Sequence, residues 1–370
     1  MFLSNQNFPK IEHLDDILPK VSNLPEIRHV IHPNGYHTLC YMLSDKNTFS
    51  GEFANYAKEC RGITFYPDGK IANRHLHKFF NVNEREDTQK HLLDWNKINN
   101  VSDKRDGSAI FPILVNNKII LKSKKSFTSD VANLANDFIK EKHFYHNFCE
   151  EMLRNNLSPI FEFTSNQARI VVNYTHPKLT LLHIRNTITG EYMKPDFLQN
   201  FGKIYNIPIV DYYPYYGSNE YFFDSLEFEK DFEGYIFQFN NGEMVKAKTK
   251  WYVELHKNCV FLNERNVAEM VLSETLDDYK SYLRESNAIE TLNTVEQIEK
   301  TICDHLTKLE DEIECIVNEN KHLQRKDFAI KHNKHEVFGL LMQCFIGQEV
   351  DYKEWYRKNK LKELFTIKQV

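Results

Sequence analysis

The run Lys104-Arg105-Asp106-Gly107-Ser108 places a lysine, an acid and a glycine turn directly ahead of a stretch that reads as a β-hairpin. A lysine amine is nucleophilic only when neutral, and with a reference pKa of roughly 10.4 about one in a thousand or fewer is neutral at pH 7. Neighbouring cations or desolvation raise that fraction, so a lysine used in covalent catalysis is expected among other positive groups. By itself the pentapeptide fits a solvated turn between strands equally well. The two readings separate only on whether the rest of the chain supplies the groups such a lysine needs.

Two acids and two lysine pairs follow it. In Ser158-Pro159-Ile160-Phe161-Glu162-Phe163 the alternation puts Phe161 and Phe163 on one face of a strand and Glu162 on the other. Glu233-Gly234-Tyr235-Ile236-Phe237 repeats the pattern of an acid at the start of an apolar strand, and the Asn240-Asn241-Gly242 turn leads to Met244-Val245-Lys246-Ala247-Lys248. Residues two apart on a strand share a face, so Lys246 with Lys248, and Lys122 with Lys124, are expected to present paired positive charge. Such pairs suit a polyanion; exposed strand lysines also protect sheet edges. A glutamate on a half-buried strand is equally compatible with a solvent-facing one.

The elements that must carry these groups are short strands and turns. Tyr36–Tyr41 and Arg61–Phe65 read as strands, the second closed by the Pro67-Asp68-Gly69 turn. Ala109–Val115, Asn116-Asn117 and Lys118–Lys122 read as a hairpin with a turn that tolerates left-handed backbone. Pro112 within it implies an edge or a bulge. Arg169 leads into an apolar run, Ile170-Val171-Val172, and Leu179–Arg185 forms a further strand that turns at Thr189-Gly190. All eleven prolines lie at or before Pro214, and after Gly242 only Gly339 and Gly347 remain. A strand-and-turn domain followed by a helical one is the natural consequence. Leu292, Val295, Ile298, Ile302, Leu306, Leu309 and Ile313 keep the steps of three and four that mark an amphipathic helix packed on a core.

At 370 residues two domains are expected, and 41% hydrophobic with 27% charged residues fits a folded globular chain rather than a disordered or membrane class. A net charge of −5 excludes a protein that is basic all over, so a nucleic-acid surface would have to be a local patch. The seven cysteines are dispersed with no Cys-x-x-Cys pair, which favours reduced thiols. The opening residues lack a basic region followed by an apolar run, and a cytoplasmic protein without membrane association is expected. The sixteen histidines are scattered or sit in lysine-rich stretches, and most read as surface residues.

In order, a Lys-x-Asp-Gly-Ser turn, a Lys-x-Lys strand end, a Phe-Glu-Phe strand, a Glu-Gly strand start and a second Lys-x-Lys strand resemble the covalent nucleotidyltransferases, the ATP-dependent ligases and capping enzymes. Glu59-Cys60-Arg61-Gly62, Lys78-Phe79-Phe80-Asn81-Val82-Asn83-Glu84, Lys122-Ser123-Lys124 and Lys248-Thr249-Lys250-Trp251-Tyr252-Val253 are similar to the phage-type RNA ligase 1 family, which repairs tRNA. Val337-Phe338-Gly339-Leu340-Leu341-Met342 resembles that family's C-terminal domain. The resemblance runs from about Tyr36 to Gly347. Arg105 after the lysine, and Lys125 after Lys124, stand where close relatives can carry an acid and a glycine, both variable positions.

The resemblance implies an α+β fold: a nucleotidyltransferase (adenylation) domain of antiparallel sheets with flanking helices over residues 1–254, then an all-α domain over residues 255–370 for tRNA recognition. It implies Lys104 as the AMP-accepting lysine, and Tyr41, Arg61, Lys78, Glu162, Lys246 and Lys248 as ATP-binding residues. Asp106, Gly107, Lys122, Lys124 and Glu233 have supporting roles. Mg2+ or Mn2+ is expected at Glu162 and Glu233, partly through water, and Asp277 and Asp278 are further candidates for a divalent ion. The implied activity is ATP-dependent joining of RNA 5′-phosphate and 3′-hydroxyl ends through lysyl-AMP and RNA-adenylate. The substrate would be tRNA broken in the anticodon loop, with an end-healing kinase or phosphatase compatible as partner. Phage-type kinship is compatible with a virus-encoded protein acting in a host cytoplasm. Basic residues at Lys321, Arg325, Lys326, Lys331 and Lys334, and at Arg357, Lys358, Lys360 and Lys362, could track an RNA backbone, although any one of them also fits a solvated helix face. A DNA ligase or capping enzyme would share the lysine motif but places a β-barrel after the second Lys-x-Lys strand, where this chain turns helical. A non-catalytic RNA-binding protein with the same fold is the other alternative.

Overall fold

Asn116 and Asn117 both take left-handed backbone, with φ of 50° and 59°, and close the hairpin that the alternation around them predicts. In the computed structural model, which describes residues 1–3, 7–42, 47–167, 172, 174–253, 264–285 and 289–361, the chain divides into two compact units, Met1–Glu254 and Leu255–Val370. The first carries strands and helices, and in the second the described elements are helices. The fold is α+β.

The strands of the first unit are β1 (Ile27–Ile31), β2 (His37–Tyr41), β3 (Arg61–Phe65), β4 (Ile71–Asn73), β5 (Phe80–Asn81), β6 (Ile98–Lys104), β7 (Ser108–Val115), β8 (Lys118–Lys122), β9 (Leu157–Thr164), β10 (Lys178–Asn186), β11 (Tyr212–Tyr213), β12 (Gly234–Phe239) and β13 (Met244–Lys248). They form three sheets, in the orders β1-β2-β3-β4, β10-β9-β7-β8 and β11-β6-β12-β13-β5. The ladders among these strands are antiparallel, except that β5 lies parallel to β13. Pro112 meets the edge condition locally. β7 pairs with β9 over Ser108–Ile110 and with β8 over Phe111–Val115, so its missing N–H falls where β9 has been left behind. Arg169, Ile170 and Val171 lie outside the described residues.

Two of these sheets face each other and create the site. The outer face of β10-β9-β7-β8 packs Ile110, Leu121, Phe161, Phe163 and Leu181 under the helices Asp130–Ile139, His143–Arg154 and Pro195–Tyr205. Each such side chain contributes about 1.5–3 kcal/mol by leaving water. The inner face turns Ile160 against Ile236 of β12 and Met244 of β13. On the far side of β11-β6-β12-β13-β5, Val101, Tyr235, Phe237, Val245 and Ala247 are covered by Phe222 and Leu226 of the helix Glu220–Phe228. Period-2 alternation therefore assigns Glu162, Lys104, Lys246 and Lys248 to the faces between the sheets.

In the second unit the helix Ile289–Glu319 buries Leu292, Val295, Ile302, Leu306, Leu309 and Ile313, the stripe that the spacing predicts, with Ile298 half-buried. Its C-terminal half packs on Phe328, Val337, Leu340 and Leu341. Among the described residues the cysteines are free thiols; Cys259 lies outside them.

A buried ionic cluster fastens the start of β3 to β10. Glu59, 1% exposed, accepts from Arg74 Nε at 2.9 Å and from Arg185 Nη1 and Nη2 at 2.9 Å each. Arg74 also donates to the carbonyls of Ile188 and Pro9, and Arg185 to those of Gly190 and His75. Burial alone would raise the Glu59 carboxyl, but the pull of Arg185 and Arg74 holds it well below the usual range. Removing the acid strands two buried guanidinium groups. Glu59→Ala should therefore destabilise the fold by about 3–5 kcal/mol, measured by denaturant unfolding; a loss below about 1 kcal/mol would show the cluster to be dispensable.

Candidate active site

Lys104 is the last residue of β6, and the register sets it beside Gly234 of β12, whose other neighbour is Lys248 of β13. Glu233, immediately before Gly234, is thereby placed between two lysines. Its Oε1 lies 2.7 Å from Lys104 Nζ and 2.7 Å from Lys248 Nζ, and the glutamate is only 3% exposed. The glycine is required by this crossing: Gly234 has φ +151°, and a Cβ there would stand 2.0 Å from the Ala247 carbonyl oxygen.

The turn after Lys104 is tied down from several directions. Asp106 accepts from the Val172 N–H at 2.6 Å and from the Tyr252 hydroxyl at 2.9 Å, and its own N–H donates to the Tyr174 hydroxyl at 3.3 Å. Tyr252 in turn lies under Lys248, with Nζ 4.5 Å from the ring centroid. Lys104, Glu233, Lys248, Tyr252 and Asp106 thus form one continuous set of contacts. Gly107 lets the turn press on β9, since a Cβ would stand 2.5 Å from the Phe163 carbonyl oxygen and 3.0 Å from Glu162 Cγ. That contact puts Glu162 next to the lysine turn. Glu162 is buried, not solvent-facing. Burial pushes its carboxyl up to about 8; Lys104 and Arg61 pull the other way, and Glu233 and Asp106 add to the rise.

The remaining sequence candidates form a cationic and aromatic wall. Lys78, buried, has its Nζ 5.1 Å from the Phe80 ring centroid and 5.4 Å from that of Tyr41, and Lys124 Nζ lies 4.9 Å from the same Tyr41 ring. Arg61 lies over Phe79 at 5.5 Å. Lys246 is half-buried and pairs in register with Asn81 of β5. Lys122 and Lys124 do not present paired charge on one strand face. β8 ends at Lys122, which is fully buried against Phe111 and donates to the Lys124 carbonyl oxygen at 3.3 Å, while Lys124 turns to Tyr41. The chain leaves the strand between them, and the period of two lapses.

In the helical unit, Asp277 lies 3.6 Å from Lys280, which also pairs with Glu299 at 2.8 Å, and among the described residues no group of three His, Cys, Asp or Glu is arranged to hold a metal. Arg357 pairs with Glu269 and Glu354, Lys358 with Glu354, and Lys360 with Glu336; these basic residues are tied up in ion pairs. Lys331 donates to the Asn320 side chain. Lys362 lies outside the described residues. Sequence reasoning assigned no role to Tyr252 or Tyr174. The first stood inside the quoted Lys248–Val253 motif, four residues after Lys248; nothing local marked the second.

A protein-family model described as RNA ligase matches residues 59–252, more than half of the chain. A protein of Thermovibrio ammonificans named "Putative RNA ligase" is 26% identical over 231 residues, 60% of this chain and 60% of that protein. Among solved structures, a variant of the Naegleria gruberi RNA ligase with ATP and Mn is 17% identical over 45% of this chain and 53% of its own, with a TM-score of 0.37. The same ligase with PPi gives 18% identity over 45% and 54%, with a TM-score of 0.38. The chain thus spans about 60% of the length of the curated relative and about half of the solved ligase.

The raised Glu162 carboxyl has a consequence for stability. With a folded pKa of about 8 against an ordinary 4.5, the native state holds a proton that the unfolded chain releases. Its contribution is full below pH 4.5 and is lost as pH rises through 8. In the ligand-free chain, Glu162→Gln should lose less stability than the wild type between pH 5 and 8 in denaturant melts. Parallel curves for the two proteins would contradict a protonated Glu162.

Proposed function

This chain belongs to the RNA ligase family, and we propose that it joins RNA 5′-phosphate and 3′-hydroxyl ends with ATP, Lys104 carrying the AMP. The observation that carries the reading is the cluster in which Glu233 joins Lys104 to Lys248 at 2.7 Å each, with Glu162 beside the lysine turn. In the first step the neutral Lys104 amine attacks the α-phosphorus of ATP, a P–N bond forms, the bond to pyrophosphate breaks, and the amine proton leaves. Lys246 and Lys248 neutralise charge on the α-phosphate, and Arg61, Lys78 and Tyr41 hold the rest of the nucleotide. The adenylate then passes to the RNA 5′-phosphate and frees Lys104. Attack of the 3′-hydroxyl on that activated end expels AMP and seals the strand.

Glu162 and Glu233 are hard oxygen donors flanking Lys104 and suit Mg2+ or Mn2+, held partly through water. Such an ion supplies charge neutralisation at the phosphates. The exposed Lys321, Arg325, Lys326 and Lys334 support contact of the helical unit with an RNA backbone, and tRNA broken in the anticodon loop is the substrate we assign. Its ends must first be a 5′-phosphate and a 3′-hydroxyl, which calls for an end-healing kinase or phosphatase. Among the described residues no helix is long and apolar enough to cross a membrane, and we place the reaction in a cytoplasm.

With labelled ATP and Mg2+, the wild type should form a covalent AMP adduct and circularise a 5′-phosphorylated single-stranded RNA. Lys104→Ala should form no adduct, and Lys248→Ala should slow its formation by about 100-fold or more. A labelled band surviving Lys104→Ala, or a wild type inert with both Mg2+ and Mn2+, would overturn the assignment.

A further inference from the structure

Arg105, next to the reactive lysine, forms a second ionic link on the other side of β6. Its Nε lies 2.7 Å from Asp103 Oδ2 and its Nη2 2.5 Å from Asp211 Oδ2. Asp103 is buried, at 8% exposure, and its N–H donates to the Asp211 carbonyl oxygen at 2.9 Å. The β11 ladder pairs with β6 only at Tyr212–Ser102 and Tyr213–Val101. Beyond Ser102 the Asp211 contacts continue that link to residues 103 and 105. On its other side Lys104 is held by β12 through Gly234, and the turn beyond it by Asp106. Among the described contacts, without Arg105 the tie from Asp211 to residues 103–105 would be the Asp103 N–H bond to its carbonyl oxygen.

We propose that Arg105, clamped between Asp103 and Asp211, is a positioning residue that holds the end of β6 so that Lys104 points into the site. The inference rests on the reading of Lys104 as the AMP-accepting lysine. Arg105 acts through the backbone of residues 103–106. A guanidinium suits the task because one planar group reaches both carboxylates, hydrogen-bonding Asp211 through Nη2 while its Nε end lies beside Asp103 as an ion pair, which a lysine amine does less rigidly. A displacement near 1 Å in a reacting group can cost about 100-fold in rate, so a brace of modest strength has a large lever.

The test uses the full chain and two readouts. Arg105→Ala and Asp211→Asn should both speed amide hydrogen exchange across residues 103–108. Both should also lower the single-turnover rate of lysyl-AMP formation at saturating ATP by at least tenfold, with ATP affinity within twofold of wild type. Arg105→Lys should restore part of the rate, and thermal unfolding of each variant identifies one that has merely lost its fold. Exchange and rate within twofold of wild type in Arg105→Ala would overturn the brace, as would a fall confined to ATP affinity. A wild type that forms no adduct, while Arg105→Ala still loosens residues 103–108, would overturn the nucleophile reading and uphold the brace.

Discussion

A single buried carboxylate organises the first unit. Glu233 is almost entirely removed from water, and a charged carboxylate in that position is tolerable only with close cationic partners. It has Lys104 on one side and Lys248 on the other, each at 2.7 Å, so the ends of β6, β12 and β13 must converge on it. Burial pushes the Glu162 carboxyl up to about 8, against the pull of Lys104 and Arg61, and positive groups gather around it although the whole chain carries −5. Under the proposed function these groups would meet the phosphates of ATP already in place, the electrostatic preorganisation that phosphoryl chemistry demands.

The Glu59 cluster and the Glu233 cluster do different work with the same kind of contact. Glu59 is surrounded by two arginines whose remaining donors are used on backbone carbonyls, which suits a fixed strut beside Arg61. Glu233 is shared by two lysines, whose single amines can release one partner and take another without dismantling a planar fork. Under the proposed function, rigid support beside Arg61 and exchangeable contacts at Lys104 would let that lysine change partners while its frame stays fixed.

Much of the frame was legible in the sequence. Arg61–Phe65 forms as read, and the hairpin differs only in that β7 begins at Ser108, because alternation and the two asparagines are local signals. Glu162 shows where that legibility ends. Alternation identifies which face of β9 it occupies, but whether that face is covered depends on β12, some seventy residues later. The Glu59–Arg185 pair spans 126 residues and left no local trace. Lys122 and Lys124 misled because one residue of departure from the strand undoes the face they would share. The partner of Asp277, by contrast, sits three residues away at Lys280, one helical turn, and was open to reading.

Glu233 holds Lys104 and Lys248 alike, at 2.7 Å each, and in the proposed reaction only Lys104, at the end of β6, accepts AMP. Peptide mapping by mass spectrometry of the chain after incubation with ATP and Mg2+ tests this directly. AMP should be found on Lys104 and on no other lysine. AMP on Lys78, Lys122, Lys124, Lys246 or Lys248 would contradict it.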